Sequence, residues 1–169
     1  MLDLYCKKHA DISDETLKKI IILKKQEWKY TYKSHSDWIK KNIKRSDFHV
    51  LLFLKDKLIG YTMLRRRQMF TNKKKIFLYF DTHIITKSFR GKEIFNLKPS
   101  YILMNFIMKI IRRKKLLSLL MCKNKKKNYY IRHGWTVIDN NKFEINKDNS
   151  LVFLVYGKID RNKYYKFLL

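Results

Sequence analysis

Hydrophobic residues along the chain follow two periods, and the switches between them mark out the elements. "ISDETLKKIIILKKQEW" (12–28) sets Leu17, Ile20, Ile21 and Trp28 at helical spacing, with Ser13 or Asp14 as N-cap and acids in the first turn. "SDWIKKNI" (36–43) predicts a second, shorter helix capped by Ser36. "FHVLLFLKDKLIGYTML" (48–64) is two apolar runs around Lys55, Asp56 and Lys57, which reads as a hairpin. "KKIFLYFDTHIIT" (74–86) is rich in aromatic and branched residues and predicts a strand.

A basic turn follows, and then an apolar helix ending near Lys115. That helix starts either at Phe95, with Pro99 in its first turn, or near Ser100 after a longer loop. "LLSLLMC" (116–122) is a buried strand, "NKKKNYYIRH" (124–133) a short basic helix stopped by Gly134, and "WTVI" and "SLVFLVYGKI" two last strands. Neither a repeat nor a linker interrupts the series, so residues 1–169 read as a single α/β domain with a mixed sheet flanked by helices. The strands on either side of the long helix should be parallel neighbours with a right-handed crossover.

Composition refines this picture. Hydrophobic residues make up 46% and aromatics 15%, enough for a real core, although the net charge is +26. Such a balance favours an anionic partner: nucleic acid, nucleotide, acidic carrier protein or membrane surface. Lysine outnumbers arginine, and Gly (4) and Pro (1) are scarce, so a global bias that scatters lysines over solvated faces explains part of the charge. The runs at 65–68, 72–75, 112–115 and 123–127 are expected on solvated faces. Cys6 and Cys122 suit neither a disulfide framework nor a metal site, and buried free thiols in a reducing cytoplasm are expected. Lys7, Lys8 and His9 interrupt any leader-like run, and no apolar stretch is long enough to span a membrane.

"RGKEIF" (90–95) and "NYYIRHGW" (128–135) carry the chemistry. Together with the hairpin, the strand before the turn and the crossover helix, they make roughly 48–137 resemble the GCN5-related N-acetyltransferase (GNAT) superfamily. In that family a Gln/Arg-x-x-Gly-x-Gly/Ala turn uses backbone N–H groups at a helix start to hold the pyrophosphate of acetyl-CoA. Arg90 matches the first position, and Gly91 and Lys92 fill the variable ones. Glu93 and Phe95 stand where the family has small residues, and "NLKPS" (96–100) lengthens the link. With a longer loop, Lys98 and Ser100 would take over lost contacts.

The resemblance also implies that the backbone of Ile84 and Ile85 pairs with the pantetheine arm. It makes Tyr130 the general acid toward the CoA thiolate and Asn124 a cofactor contact. Some members deprotonate the acceptor ammonium with a carboxylate or His on the fourth strand. Asp81 and His83 lie there, two residues apart and so expected on one face.

The expected activity is acetyl-CoA-dependent N-acetylation of a small-molecule or sugar amine, without metal. Two other readings stay open. One is an inactive protein of the same fold that binds nucleic acid or another polyanion. The other is an acyltransferase whose donor is an acyl carrier protein. Self-association is compatible with any of them.

Overall fold

The computed structural model describes residues 1–138, 143–144, 151–160 and 162–169. The chain forms two compact units, Met1–Arg65 with Thr82–Ile107, and Arg66–Asp81 with Met108–Leu169. Among the described residues the strands hydrogen-bond in the order β1 (Leu2–Lys8), β2 (Phe48–Leu54), β3 (Lys57–Phe70), β4 (Lys74–Ile85), β5 (Ser118–Lys123), β8 (Leu151–Tyr156) and β6 (Thr136–Val137), with β9 (Tyr165–Leu168) beside β3 and β7 (Phe143–Glu144) beside β9: a mixed sheet of nine strands, accompanied by four α-helices.

The first unit contains β1 (Leu2–Lys8), α1 (Asp14–Lys25), α2 (Tyr32–Asn42), β2 (Phe48–Leu54) and the first part of β3 (Lys57–Phe70). β1 pairs antiparallel with β2 from Leu2↔Leu54 to Lys8↔Phe48, and β2 with β3 across the expected hairpin, where Lys55 takes a positive φ of 52°. Ile20, Ile21 and Leu23 of α1 and Ile39 of α2 pack on Leu51, Tyr61, Met63 and Ile84. Each such buried side chain contributes about 1.5–3 kcal/mol.

Ser13 caps α1 as expected, its Oγ accepting the Thr16 amide at 3.3 Å. The cap of α2 is Thr31 rather than Ser36. Thr31 Oγ1 accepts the Ser34 amide at 3.0 Å, and the added first turn buries His35 against the Trp28 carbonyl. β1 was not expected at all, because its second half is exposed and looks polar in sequence; Cys6 lies there and is exposed rather than buried, while Cys122 is buried as expected.

The run at 65–68 is also not a solvated face. Period two along β3 exposes Arg66 but buries Arg65 and Arg67 at 8% and 5% accessibility. The Arg65 guanidinium lies 5.5 Å from the Trp38 ring centre, and Arg67 donates to the Arg66 carbonyl at 2.7 Å.

The second unit takes the end of β3 and β4 (Lys74–Ile85) through Asp81. It adds β5 (Ser118–Lys123), α4 (Lys127–Ile131), β6 (Thr136–Val137), β7 (Phe143–Glu144), β8 (Leu151–Tyr156) and β9 (Tyr165–Leu168). β4 and β5 are parallel neighbours, as expected of strands joined by a crossover helix, here α3 (Pro99–Lys114). β8 returns antiparallel beside β5, and β9 pairs with β3 through Gln68↔Leu168. Phe77, Phe143, Phe153, Tyr165 and Phe167 form its aromatic core. β7 and β9 were not expected: one is two residues long, and the other alternates only through Tyr165 and Phe167. Of the two last predicted strands, Ser150 lies outside the described residues.

Candidate active site

The structure decides between the two readings of the basic turn. α3 starts at Pro99, so Phe95 is not helical. Pro99 has no N–H to offer, and the amides of Tyr101 and Ile102 both close on the Lys98 carbonyl at 2.8 and 3.1 Å. Ahead of the helix sits an added tight turn. Ile94 and Leu97 exchange both backbone hydrogen bonds, and Phe95 and Asn96 between them take φ of 52° and 60°. The Phe95 side chain is exposed.

Upstream, Thr86 closes β4 by donating its amide to the Ile59 carbonyl, and residues 87–89 form one turn of 3-10 helix. Gly91 follows with φ 75° and nothing within 4 Å of the place a Cβ would occupy. It is there for its backbone angle, not for lack of room. The amides of Gly91, Lys92 and Glu93 make no backbone hydrogen bond among the described residues, and all three residues are exposed. They are open donors on an exposed turn. Glu93 is the adverse feature, a carboxylate among those donors. Lys98 is exposed at the end of the loop, and Ser100 is half-buried in the first turn of α3.

Sequence reasoning missed how this loop is held. The end of α1 straps it down: Gln26 Oε1 accepts both the Thr86 hydroxyl at 2.9 Å and the Lys87 amide at 3.0 Å. Arg90 donates Nε to the Ile85 carbonyl at 2.9 Å and forms an ion pair with Glu27. The residue expected to meet a pyrophosphate is thus turned back on the chain. Local sequence carries no signal for a contact between residues 60 positions apart. A pocket of about 280 Å³ opens beside Gln26 and Thr86, lined also by Lys19, Ile22, Asp56 and Lys57.

On β4 the alternation breaks at Thr82, whose φ is 60° within the strand. A left-handed residue there resets the pleat, so spacing alone no longer sets Asp81 and His83 on one face. Both are half-buried. His83 Nδ1 lies 2.8 Å from the Oγ1 of Thr62, a fully buried threonine on β3 that fixes the ring. Ile84 and Ile85 are both buried: Ile84 in the core under α1 and α2, Ile85 with its Cδ1 over Gly60. Pairing of β4 with β5 covers Leu78–Phe80 only, and β4 runs on to Ile85.

In the second unit, "YYIRHGW" is a helix stop. The amides of His133 and Trp135 both return to the Tyr130 carbonyl, and Gly134 takes φ 85°, with Tyr156 Cε2 3.3 Å from the place a Cβ would occupy. The turn folds Trp135 and Phe80 around the Tyr130 ring, with centroids 6.5 and 5.9 Å away, and Tyr129 stacks edge-on at 5.2 Å. Burial raises the Tyr130 phenol well above its ordinary range, and Cys122 and Tyr129 add to the effect. Its hydroxyl has no hydrogen-bond partner among the described residues. The residue as a whole is half-buried. Asn124, exposed in the 3-10 turn ahead of α4, lends its carbonyl to the Lys127 amide.

An α/β sheet with these features defines a class that solved structures identify. An acyl-CoA N-acyltransferase from Pseudomonas aeruginosa superposes with a TM-score of 0.68 over 92% of this chain and 99% of its own, at 16% identity. PaiA N-acetyltransferase from Thermoplasma acidophilum, in complex with coenzyme A, gives 0.57 over 92% and 99% at 17% identity. Campylobacter jejuni N-acetyltransferase PseH, in complex with acetyl coenzyme A, gives 0.58 over 93% and 100% at 15% identity. No protein-family model and no curated protein matches the sequence. The chain therefore has the GNAT fold. Among the described residues no helix is long and apolar enough to cross a membrane, and no group of His, Cys, Asp and Glu could hold a metal ion.

Proposed function

We propose that the protein is an acyl-CoA-dependent N-acyltransferase that moves an acetyl group from acetyl-CoA to the amine of a small molecule or sugar. The observation that carries this reading is Tyr130: a half-buried phenol walled by Phe80, Trp135 and Tyr129, its ionisation further disfavoured by burial, with its hydroxyl unclaimed among the described residues. Coenzyme A complexes of proteins with this fold support the choice of donor. The open amides of Gly91, Lys92 and Glu93 would receive the pyrophosphate, with Arg90, Lys98 and Ser100 around it. The backbone of Ile84 and Ile85 would align the pantetheine arm, and Asn124 would contact the donor.

The reaction breaks the thioester C–S bond and forms an amide C–N bond, and one proton moves from nitrogen to sulfur. His83, oriented by Thr62 and assisted by Asp81, would take that proton from the amine. Tyr130 would pass its proton to the departing sulfur and be reprotonated from solvent, while His83 releases the amine's proton to solvent. Because burial penalises the phenolate, Tyr130 can act only as a donor that regains its proton, never as a lasting source of one.

The test is thermal unfolding under acetyl-CoA titration, followed by a thiol-release assay over a panel of amines. Saturation at about a hundred times Kd should stabilise the fold by about 2.7 kcal/mol. Arg90→Ala should weaken that shift. Tyr130→Phe should leave it intact while turnover falls about a hundredfold. Stabilisation matched by inorganic pyrophosphate, with no amine-dependent thiol release, would sink the reading.

A further inference from the structure

We infer that the end of the second unit carrying the β3–β4 hairpin is a docking surface for single-stranded nucleic acid. This goes beyond acyl transfer and does not depend on it. The strand register gathers three basic segments at that end. β4 and β5 run parallel with Leu78 opposite Ser118, while β8 returns antiparallel with Tyr156 opposite Ser118. Residues 73–75 at the start of β4, residues 112–115 before β5, and Lys158 after β8 therefore all lie at the same end of the sheet. All of them are exposed.

Among the described residues, acidic side chains do not cancel this charge. Those described in the second unit are Asp81, Glu144 and Asp160. Asp81 lies beyond the β5-paired part of β4. Glu144 is already held by Lys166 at 2.9 Å and Asp160 by Lys163 at 3.2 Å.

Exposed aromatic surface accompanies the cations. Phe70, the last residue of β3, is 37% accessible and pairs with Lys166 of β9, while Tyr164, just ahead of β9, is 54% accessible. Cations track a phosphate backbone, and aromatic rings take unpaired bases by stacking. A purely acidic protein partner would gain nothing from the rings. The lysines at 123–127, at the other end of β5, give an internal contrast. The tyrosines following them, Tyr129 and Tyr130, are half-buried among other rings.

Fluorescence anisotropy of a labelled 20-nucleotide oligouridine tests the inference, with an equal-length duplex and polyglutamate as competitors. Lys75→Gln combined with Arg113→Gln should weaken binding about tenfold at low salt and flatten the log–log salt slope by about 1.4, at about 0.7 per cation. Lys125→Gln with Lys126→Gln should cost less than about threefold. Phe70→Ala should weaken the single strand about fivefold and the duplex much less. These positions are exposed, and unchanged thermal midpoints confirm folding. Equal losses from the two pairs of cation substitutions, no effect of Phe70→Ala, or displacement by polyglutamate as readily as by oligouridine would each overturn it.

Discussion

His49 should make this protein acid-sensitive by an amount that can be worked out. It sits fully buried on β2, with Nε2 3.0 Å from His9 Nδ1 and Nδ1 2.9 Å from the Tyr61 hydroxyl. Burial, with His9 and Lys24 nearby, lowers its pKa from 6.5 to about 3. The folded protein therefore keeps His49 neutral where the unfolded chain protonates it. With the folded value depressed, stability is fully present above the unfolded pKa and falls as pH drops through 6.5 toward 3. At pH 5, about 1.5 pH below the unfolded value, the loss is about 2 kcal/mol at ~1.36 kcal/mol per pH. Urea denaturation at pH 7.5 and 5.0, on wild type and His49→Asn, measures it. The variant will be less stable at pH 7.5, because packing and two hydrogen bonds change. The diagnostic quantity is the pH difference, which should be about 2 kcal/mol smaller in the variant. If wild type and variant lose the same stability between the two pH values, His49 is not the group that takes up the proton, and the buried neutral histidine is wrong.

Two further changes probe the loop and the strand that feeds it. Gly60→Ala would set a Cβ 2.9 Å from Ile85 Cδ1 and 3.2 Å from Leu103 Cδ2 and Leu52 Cβ, so overpacking should cost about 1–3 kcal/mol. Differential scanning calorimetry should then show the melting temperature lowered by several degrees, and an unchanged value would mean that the side chains yield freely. Glu27→Gln releases Arg90 from its half-exposed ion pair, a contact worth about 0.2–1 kcal/mol. Calorimetric titration should find acetyl-CoA bound up to about fivefold more tightly, and weaker binding would show that Glu27 supports the site instead of competing for it.

What the sequence disclosed follows from where the information resides. Helix α1, the β2–β3 hairpin, the core of β4, β5 and the Gly134 stop are written in local patterns: a capping serine, a turn between apolar runs, a branched-residue strand, a glycine at positive φ. β1, β7 and β9 are not, because each gains its order from a partner distant in sequence. Arg65 and Arg67 misled for a related reason. A run of three arginines looks solvated until the pleat of β3 turns alternate ones inward, one against Trp38 and one onto a carbonyl. The candidate site residues could be named from the motif, but their partners could not. Thr62 behind His83, Gln26 on Thr86 and Glu27 on Arg90 all join positions 21 or more residues apart.

The same loop shows why replaced glycines need not mean a lost anion site. A glycine matters in such a turn where the backbone must be left-handed or where a ligand presses against it. Glu93 stands where the family has a glycine, yet its backbone is not left-handed, so the substitution there costs no backbone strain. The left-handed residues are Gly91, two residues earlier, Phe95, which stands at the second small-residue position, and Asn96 beside it in the added turn between Ile94 and Leu97. Asn accepts that conformation readily, and Phe does so at a cost of about 1 kcal/mol or more. The paired hydrogen bonds of the turn and the two bonds to Gln26 hold the loop in place from both sides. What Glu93 changes is charge. A carboxylate beside open amides disfavours an incoming diphosphate. Lys92 next to it offsets part of that charge, while Arg90, the other cation of the turn, is held by Glu27. Under the proposed function, competition between Glu27 and the ligand for one guanidinium would change acetyl-CoA affinity by up to about fivefold, in addition to the charge of Glu93.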